Sequence, residues 1–399
     1  MVQLEEAQEV LKNTVHFIEE TEKVVLSNAI GRVLAADAVA KVDQPPFPRS
    51  PLDGYAVRGS DTKGLTKEYP GTFRVIGKIY AGEVFEGIIE RGEAVRIMTG
   101  APIPDGADTV IRQEWTDYGE DEVRIYAESK PYQNYCCQGE DYKKGDILLK
   151  KGTVLDGISI AILASLGMKE AEVYRLPNIA VISTGDEVVQ PGEPLKSGKI
   201  YDSNLHLLYG RLAEIGIRPY ASVHSKDSAP HMAETIKSFV DQADLIITTG
   251  GVSVGEKDIM HEVAELLGAE KLFWRVDLKP GAPTLSMVFE NTLIICLSGN
   301  PFGAAANFEL LVRGVIGKLS GNPRWNMDKK KAVMQTGFPK KGGVRRFLRA
   351  YHEDGNVWLP AGKHVSGVFS SMIGCNCLVE VPEDKDGVMK GDSVWIHLL

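Results

Sequence analysis

The apolar positions of this chain change period several times, and each change marks a segment. Leu4, Ala7, Val10, Leu11, Val15 and Ile18 recur at helical spacing and predict a helix within residues 1–22. A β-rich run over 24–40 leads into a proline cluster, where Pro45, Pro46, Pro48 and Pro51 forbid regular structure and stiffen the loop. Residues 68–140 alternate strand-like runs with turn formers and read as a small all-β domain, followed by a helix over ISIAILASLGM. From Pro177 the chain alternates short β-branched runs with amphipathic stretches. Ser203 is the expected cap of a helix through Leu205, Leu208, Leu212 and Ile215. A second helix is expected over 230–240, and a third, after Asp258, through Ile259, Val263, Leu266 and Leu267. Strand–helix alternation of this kind predicts a parallel sheet with helices on both faces. Residues 326–399 return to short strands and turns and suggest a small barrel or sandwich.

Such a sheet places its binding residues beyond the carboxyl ends of its strands. Asp186, Glu187, Asp227, Gly250, Gly251, Asp258, Lys279, Ser298 and Asn300 all fall at or near those ends. In DLIITTGGVSVGEKD, a buried strand empties into Gly250–Gly251, and glycines let backbone N–H groups approach an anion with no Cβ in the way. Asp258 follows, so an anion cradle and a carboxylate share one sheet edge, a pairing that suits a phosphate with a divalent cation. A plain chain-reversing turn is the alternative. Asp53 sits in the stiff proline loop, as either a fixed functional carboxylate or an ordinary Asp-Gly turn. Thr99 belongs to the loop over 99–111, and Asp141 to an acidic turn with Gly139 and Glu140.

Composition narrows the field. At 399 residues the chain exceeds one core and calls for two to four domains. Its formal net charge of −9 argues against nucleic acid as the main partner. No apolar run approaches the ~20 residues that span a bilayer. The first residues are acidic and amphipathic, unlike a signal peptide. Five cysteines without zinc-like spacing fit reduced thiols in a cytoplasm.

Six motifs in order are similar to those of the molybdopterin molybdenumtransferases, the MoeA and gephyrin E-domain family: SPLDGYAV (50–57), TGAPIPDGADTVI (99–111), STGDEVV (183–189), TTGGVSVGEKD (248–258), KPGAP (279–283) and SGNP (298–301). They span most of the chain. The resemblance implies insertion of molybdate into adenylylated molybdopterin, with Mg²⁺-dependent cleavage of the pyrophosphate and release of AMP. A tungstate-inserting relative, a nucleotide-binding scaffold and an adenylyltransferase with the same α/β domain are the rivals. The implied fold is multidomain. It comprises an elongated segmented domain (1–22, 41–49, 142–175), a small β domain (23–40, 50–141), a central MogA-like α/β domain with a mostly parallel sheet (176–325) and a C-terminal β-barrel (326–399). The implied assembly is a cytoplasmic homodimer whose site is shared between subunits, with the upstream molybdopterin adenylyltransferase as a further partner.

Carried onto this chain, the resemblance makes Asp227 and Asp258 the Mg²⁺ ligands and Glu187 the residue that positions or deprotonates the hydrolytic group. Arg275 and Lys279 supply positive charge. Asp53, Thr99 and Asp141 line the pterin side. Asp186, Gly250, Gly251, Ser253, Ser298, Gly299, Asn300 and Pro301 bind substrate, and Arg349 and Ser366 match anion-binding positions. Two departures stand out. Ser298 replaces the proline of Leu-Pro-Gly-Asn-Pro, and Arg275 replaces a lysine, which keeps the charge but changes the geometry.

Overall fold

The structure, a computed structural model, describes residues 1–252, 258–340, 342–362 and 364–399. The chain divides into two compact units, one of residues 36–151 and 158–169, the other of residues 1–35, 152–157 and 170–399.

The smaller unit is built on a five-stranded sheet in the order Thr109–Arg112, Gly54–Val57, Glu93–Ile97, Gly71–Ile79, Glu122–Ile125. The second of these, GYAV, begins directly after the proline loop, only three residues past Pro51. All four residues are buried, and Gly54, Tyr55 and Ala56 pair on both sides, so the ladder overrides the stiffness of the prolines before them. Only glycine fits at 54, because a Cβ there would sit 2.0 Å from the Ile111 carbonyl oxygen.

In the larger unit, the first helix is Leu4–Thr14, shorter than the apolar spacing suggested, since Val15 is already extended at ψ 149°. The α/β region has six strands, β1 (Ile179–Thr184), β2 (Ala221–Ser225), β3 (Leu245–Thr249), β4 (Glu270–Trp274), β5 (Leu285–Phe289) and β6 (Thr292–Leu297), in the order β2-β1-β3-β6-β5-β4. The first four in that order are mutually parallel, whereas β5 and β4 run antiparallel to their neighbours. Successive side chains of a strand point to opposite faces. Accordingly Ile179, Val181, Leu245, Ile247, Leu293 and Ile295 join one core, and Ala180, Ile182, Ile246, Ile294 and Cys296 join the other. Burial on both faces is why these strands are unbroken apolar runs in the sequence. Helix α1 (Ser203–Glu214) packs on the first core; α2 (Ala229–Val240) and α3 (Met260–Leu267) pack on the second. Leu266, read as part of the buried stripe, is 48% exposed, and Ala264 takes its place. Asp202, rather than Ser203, caps α1 by accepting the Leu205 N–H at 3.0 Å.

The last third closes into a five-stranded barrel in the order Lys329–Met334, Asn356–Trp358, Arg346–Glu353, Cys377–Val381, Ser393–Leu398. Buried Glu380 in its wall meets Arg345 Nη2 at 2.7 Å, Lys329 Nζ at 2.8 Å and His397 Nε2 at 2.9 Å. Burial pushes its carboxyl up, but hydrogen bonds from His397 and Lys329 and the charges of Arg345 and Lys329 outweigh burial and hold it at about 2. Arg345 also pairs with Glu5 of the first helix at 2.8 Å.

Candidate functional site

The carboxyl ends of β1, β3 and β6 meet in a cleft of ≈ 400 Å³. Backbone contact makes it. Gly250 and Gly251 have φ of +91° and +65°, and a Cβ on Gly250 would lie 2.1 Å from the Thr184 carbonyl oxygen at the end of β1. A Cβ on Gly299, past β6, would touch the Gly250 Cα at 3.4 Å. Buried Asn204 on α1 ties the turns together, its Nδ2 donating to Thr249 Oγ1 and to the Gly299 carbonyl, each at 2.9 Å. Thr249 Oγ1 in turn donates to the Ser298 carbonyl at 3.2 Å, and Ser298 Oγ accepts the Asn300 N–H at 3.2 Å. Asn300 caps helix α4 (Pro301–Asn307).

Of the residues singled out from the sequence, Glu187, Asp227, Gly250, Gly251, Ser298, Gly299, Asn300 and Pro301 line this cleft. Thr184 Oγ1 donates to Asp227 Oδ1 at 3.2 Å and orients that carboxylate. Asp258 lies next to the glycine turn: its Oδ1 accepts the Met260 N–H at 3.3 Å, and Met260 N–H also faces the Gly251 carbonyl at 3.4 Å. His261 Nε2 is 3.9 Å from Asp258 Oδ2. Asp186 is exposed, and its carbonyl accepts Lys199 Nζ at 2.5 Å. Ser253 lies outside the described residues.

Lys279 and Ser366 belong elsewhere, to a cavity of ≈ 180 Å³ between the α/β region and the barrel, with Pro280, Phe302, Lys340, Arg346 and His364 among its other walls. The backbone of Lys279 is pinned to the barrel, its N–H donating to the Arg345 carbonyl at 2.8 Å and its carbonyl accepting from Phe347 at 2.9 Å. Arg349 is 1% exposed beside this cavity, and burial lowers the pKa of its guanidinium. Burial, and then the charge of Arg349, also push His364 below the usual imidazole range. Arg275 lines neither space. It holds a left-handed φ of +67°, and its buried Nε has no hydrogen-bond partner among the described residues.

In the smaller unit, Asp53 Oδ1 accepts both the N–H and the hydroxyl of Thr99, each at 2.7 Å. Those bonds hold the Asp53 carboxyl below its ordinary value. Asp141 is an exposed turn residue whose N–H donates to the Gln44 carbonyl at 2.9 Å.

The sequence reading missed Asn204 and Asp202, although both stand in the polar DSN run at the start of α1. Asp202 Oδ2 accepts the Ser183 hydroxyl at 2.5 Å, and that hydroxyl is 3.0 Å from His224 Nδ1. Phe302 and His364 were missed as well, and no local pattern marks them.

Comparison with known proteins covers the whole chain. A family model of the MoeA N-terminal region (domain I and II) matches residues 2–167, one of a probable molybdopterin binding domain matches 180–318, and one of the MoeA C-terminal region (domain IV) matches 331–399. The molybdopterin molybdenumtransferase of Haemophilus influenzae is 37% identical over 419 residues, spanning 100% of each chain. This chain belongs to the molybdopterin molybdenumtransferase family. The Bacillus subtilis molybdopterin molybdenumtransferase is 36% identical and covers 98% of this chain and 93% of its own. A crystal structure of the molybdopterin biosynthesis MoeA protein of Pyrococcus horikoshii superposes with a TM-score of 0.82 at 33% identity, over 100% of both chains. In this molybdenumtransferase-family chain the cleft lies wholly within the segment matched as a molybdopterin binding domain. The second cavity takes walls from that segment and from the MoeA C-terminal region.

Among the described residues, no three His, Cys, Asp or Glu side chains converge to form a metal cage. Two cleft carboxylates, Glu187 and Asp227, with Asp258 beside the glycine turn, are a poor zinc or calcium site. They do fit Mg²⁺, which keeps several waters and is bound through one or two carboxylates plus substrate phosphates.

Proposed function

We propose that the chain inserts molybdate into adenylylated molybdopterin in the cleft at the ends of β1, β3 and β6, cleaving the pyrophosphate and releasing AMP. Membership of the family makes it a transferase of molybdenum cofactor biosynthesis. The observation that carries the finer reading is the convergence of Glu187, Asp227, Gly250, Gly251 and the 298–301 turn on one cleft. A pyrophosphate needs N–H donors and neutralised charge. The Gly250 N–H already bonds to the Leu297 carbonyl at 3.3 Å, so the cradle falls to the Gly251 and Gly299 amides.

Asp227 and Asp258 are the proposed Mg²⁺ ligands, with Asp227 aimed by Thr184. When bound, Mg²⁺ neutralises pyrophosphate charge and polarises the bond to be cleaved. Glu187 holds or accepts the proton of the attacking group. Its carboxylate folds over Gly185, where a Cβ would come within 2.9 Å of Oε2. Lys279 brings the positive charge of the second cavity to the molybdate, and Ser366 lies in the same wall. Arg349 lies behind that wall, and Arg275 adds positive charge from outside both spaces. Asp53, Thr99 and Asp141 serve the pterin half, contributed by the second subunit of a cytoplasmic homodimer. The domain segmentation expected from the sequence and docking of the upstream adenylyltransferase belong to the same reading.

The test is AMP release from adenylylated molybdopterin with Mg²⁺ and molybdate. Asp258→Ala and Glu187→Ala should keep the parent's thermal unfolding but lose turnover. Parent-like AMP release by Asp258→Ala places the site wrongly.

A further inference from the structure

Arg349 presents an electrostatic imbalance. Its guanidinium is 1% exposed and forms no ion pair among the described residues. Nε donates to Ser371 Oγ, Nη2 donates to the Val365 carbonyl at 3.1 Å, and buried Nη1 has no hydrogen-bond partner among the described residues. A buried cation without a counter-charge is costly. The compensation present is the face of Phe302, with Cζ 4.5 Å from the ring centroid. Phe302, Leu348 and Val365 all line the second cavity, which places Arg349 directly behind its wall, while Lys279, Lys340 and Arg346 add positive charge in front.

Phe302 also has a second neighbourhood. It follows Pro301 and Asn300 in the first turn of α4, and both of those residues line the nucleotide cleft. One helix end therefore carries a wall of each space.

We propose that Phe302 is a positioning residue for oxyanion binding: its ring holds the Arg349 guanidinium flat behind the second cavity, in register with the helix end that borders the nucleotide cleft. The inference rests on the reading of that cavity as the oxyanion pocket and adds the group that aims its buried cation. Two effects of the ring oppose each other. Its negative face slightly offsets the positive charge that an anion would feel, but a ring quadrupole decays steeply beyond the guanidinium it touches. Hydrogen bonds weaken steeply with misalignment, so the geometric effect wins. Without the ring, only the bonds to Ser371 and Val365 hold the guanidinium, its plane is free to tilt about them, and an anion must bear the cost of realigning it.

The experiment is calorimetric titration of the full chain with molybdate alone and, separately, with AMP and Mg²⁺. Phe302 is 4% exposed in the core, so Phe302→Leu is paired with Phe302→Met, which fills nearly the same volume without a π face, and with Phe302→Tyr, which keeps the face. The expected result is molybdate binding weakened about tenfold to thirtyfold in the Leu and Met variants, the scale of a desolvated cation–π contact. The Tyr variant should stay within about threefold, and AMP affinity within about twofold in all three. Met-variant affinity for molybdate equal to the parent's overturns the inference while leaving the pocket reading intact. A parallel fall in AMP affinity also overturns it, by making Phe302 a general packing residue. A parent chain that binds AMP but no molybdate removes the oxyanion pocket itself, and the inference with it.

Discussion

Replacing Gly250 with alanine separates backbone strain from the close approach that forms the cleft. Gly216 is the internal control. It too has a left-handed backbone, φ +80° against +91° at Gly250, but a Cβ there meets nothing within 4 Å. Gly216→Ala should therefore cost only the conformational term, about 1 kcal/mol. At Gly250 the new methyl would lie 2.1 Å from the Thr184 carbonyl oxygen and 3.1 Å from its carbon. Carbon–oxygen contacts settle at about 3.3 Å, so the ends of β1 and β3 must separate by roughly 1 Å. The obstacle is backbone, so no rotamer change relieves it. Overpacking of that kind costs about 1–3 kcal/mol, giving Gly250→Ala a total near 3 kcal/mol. A displacement of about 1 Å at a binding constellation also costs about a hundredfold in function. Urea unfolding of both variants measures the first quantity, and calorimetric titration with AMP and Mg²⁺ measures the second. Equal urea midpoints for the two variants, together with parent-like AMP affinity in Gly250→Ala, would refute the claim that backbone contact at this position shapes the cleft.

Other substitutions probe separate parts of the site. Asp227→Asn should abolish the Mg²⁺ dependence of AMP binding, read as one titration curve with or without the ion. Thr184→Val should weaken the Mg²⁺ response several-fold without unfolding, because the Asp227 carboxylate loses its orienting donor. Glu380 is held at about 2 against an ordinary 4.5, a difference worth about 3 kcal/mol in full and about 2 kcal/mol after allowing for the solvent around half-exposed Lys329. Because the folded value is depressed, that stability is present above pH 4.5 and is lost as pH falls toward 2. Glu380→Gln should therefore melt lower at neutral pH and show a shallower loss between pH 4.5 and 2, and an unchanged acid profile contradicts the pairing. In the smaller unit, Asp53→Asn keeps an Oδ1 that can accept from the Thr99 N–H and hydroxyl but removes the carboxylate charge. Turnover should fall at least tenfold with the melting temperature nearly unchanged.

The cleft at the ends of β1, β3 and β6 was more legible in the sequence than the second cavity. Strands that are buried on both faces leave unbroken apolar runs, and the glycine or polar turns after β1, β3 and β6 stand where a parallel sheet gathers its ligands. Glu187, Asp227, Gly250 and Ser298 could thus be grouped before any coordinates. The strand Gly54–Val57 was hidden by the prolines before it, since local stiffness says nothing of two partner strands far along the chain. Asp202 was passed over for Ser203 because both are good caps and the choice turns on one residue of register. Arg349 and Phe302 are 47 residues apart and meet only when the barrel packs on α4, a contact with no periodic signature. Lys279 is another such case: it precedes the SGNP turn in a loop, yet its backbone is fixed by Arg345 and Phe347 of the barrel.

The most direct test of the account is a crystal structure of the chain soaked with AMP and Mg²⁺. The account predicts the phosphate against Gly251 and the Ser298–Asn300 turn, with Mg²⁺ on the Asp227 side of the cleft. A nucleotide bound elsewhere, with Glu187 and Asp227 facing only solvent, contradicts it.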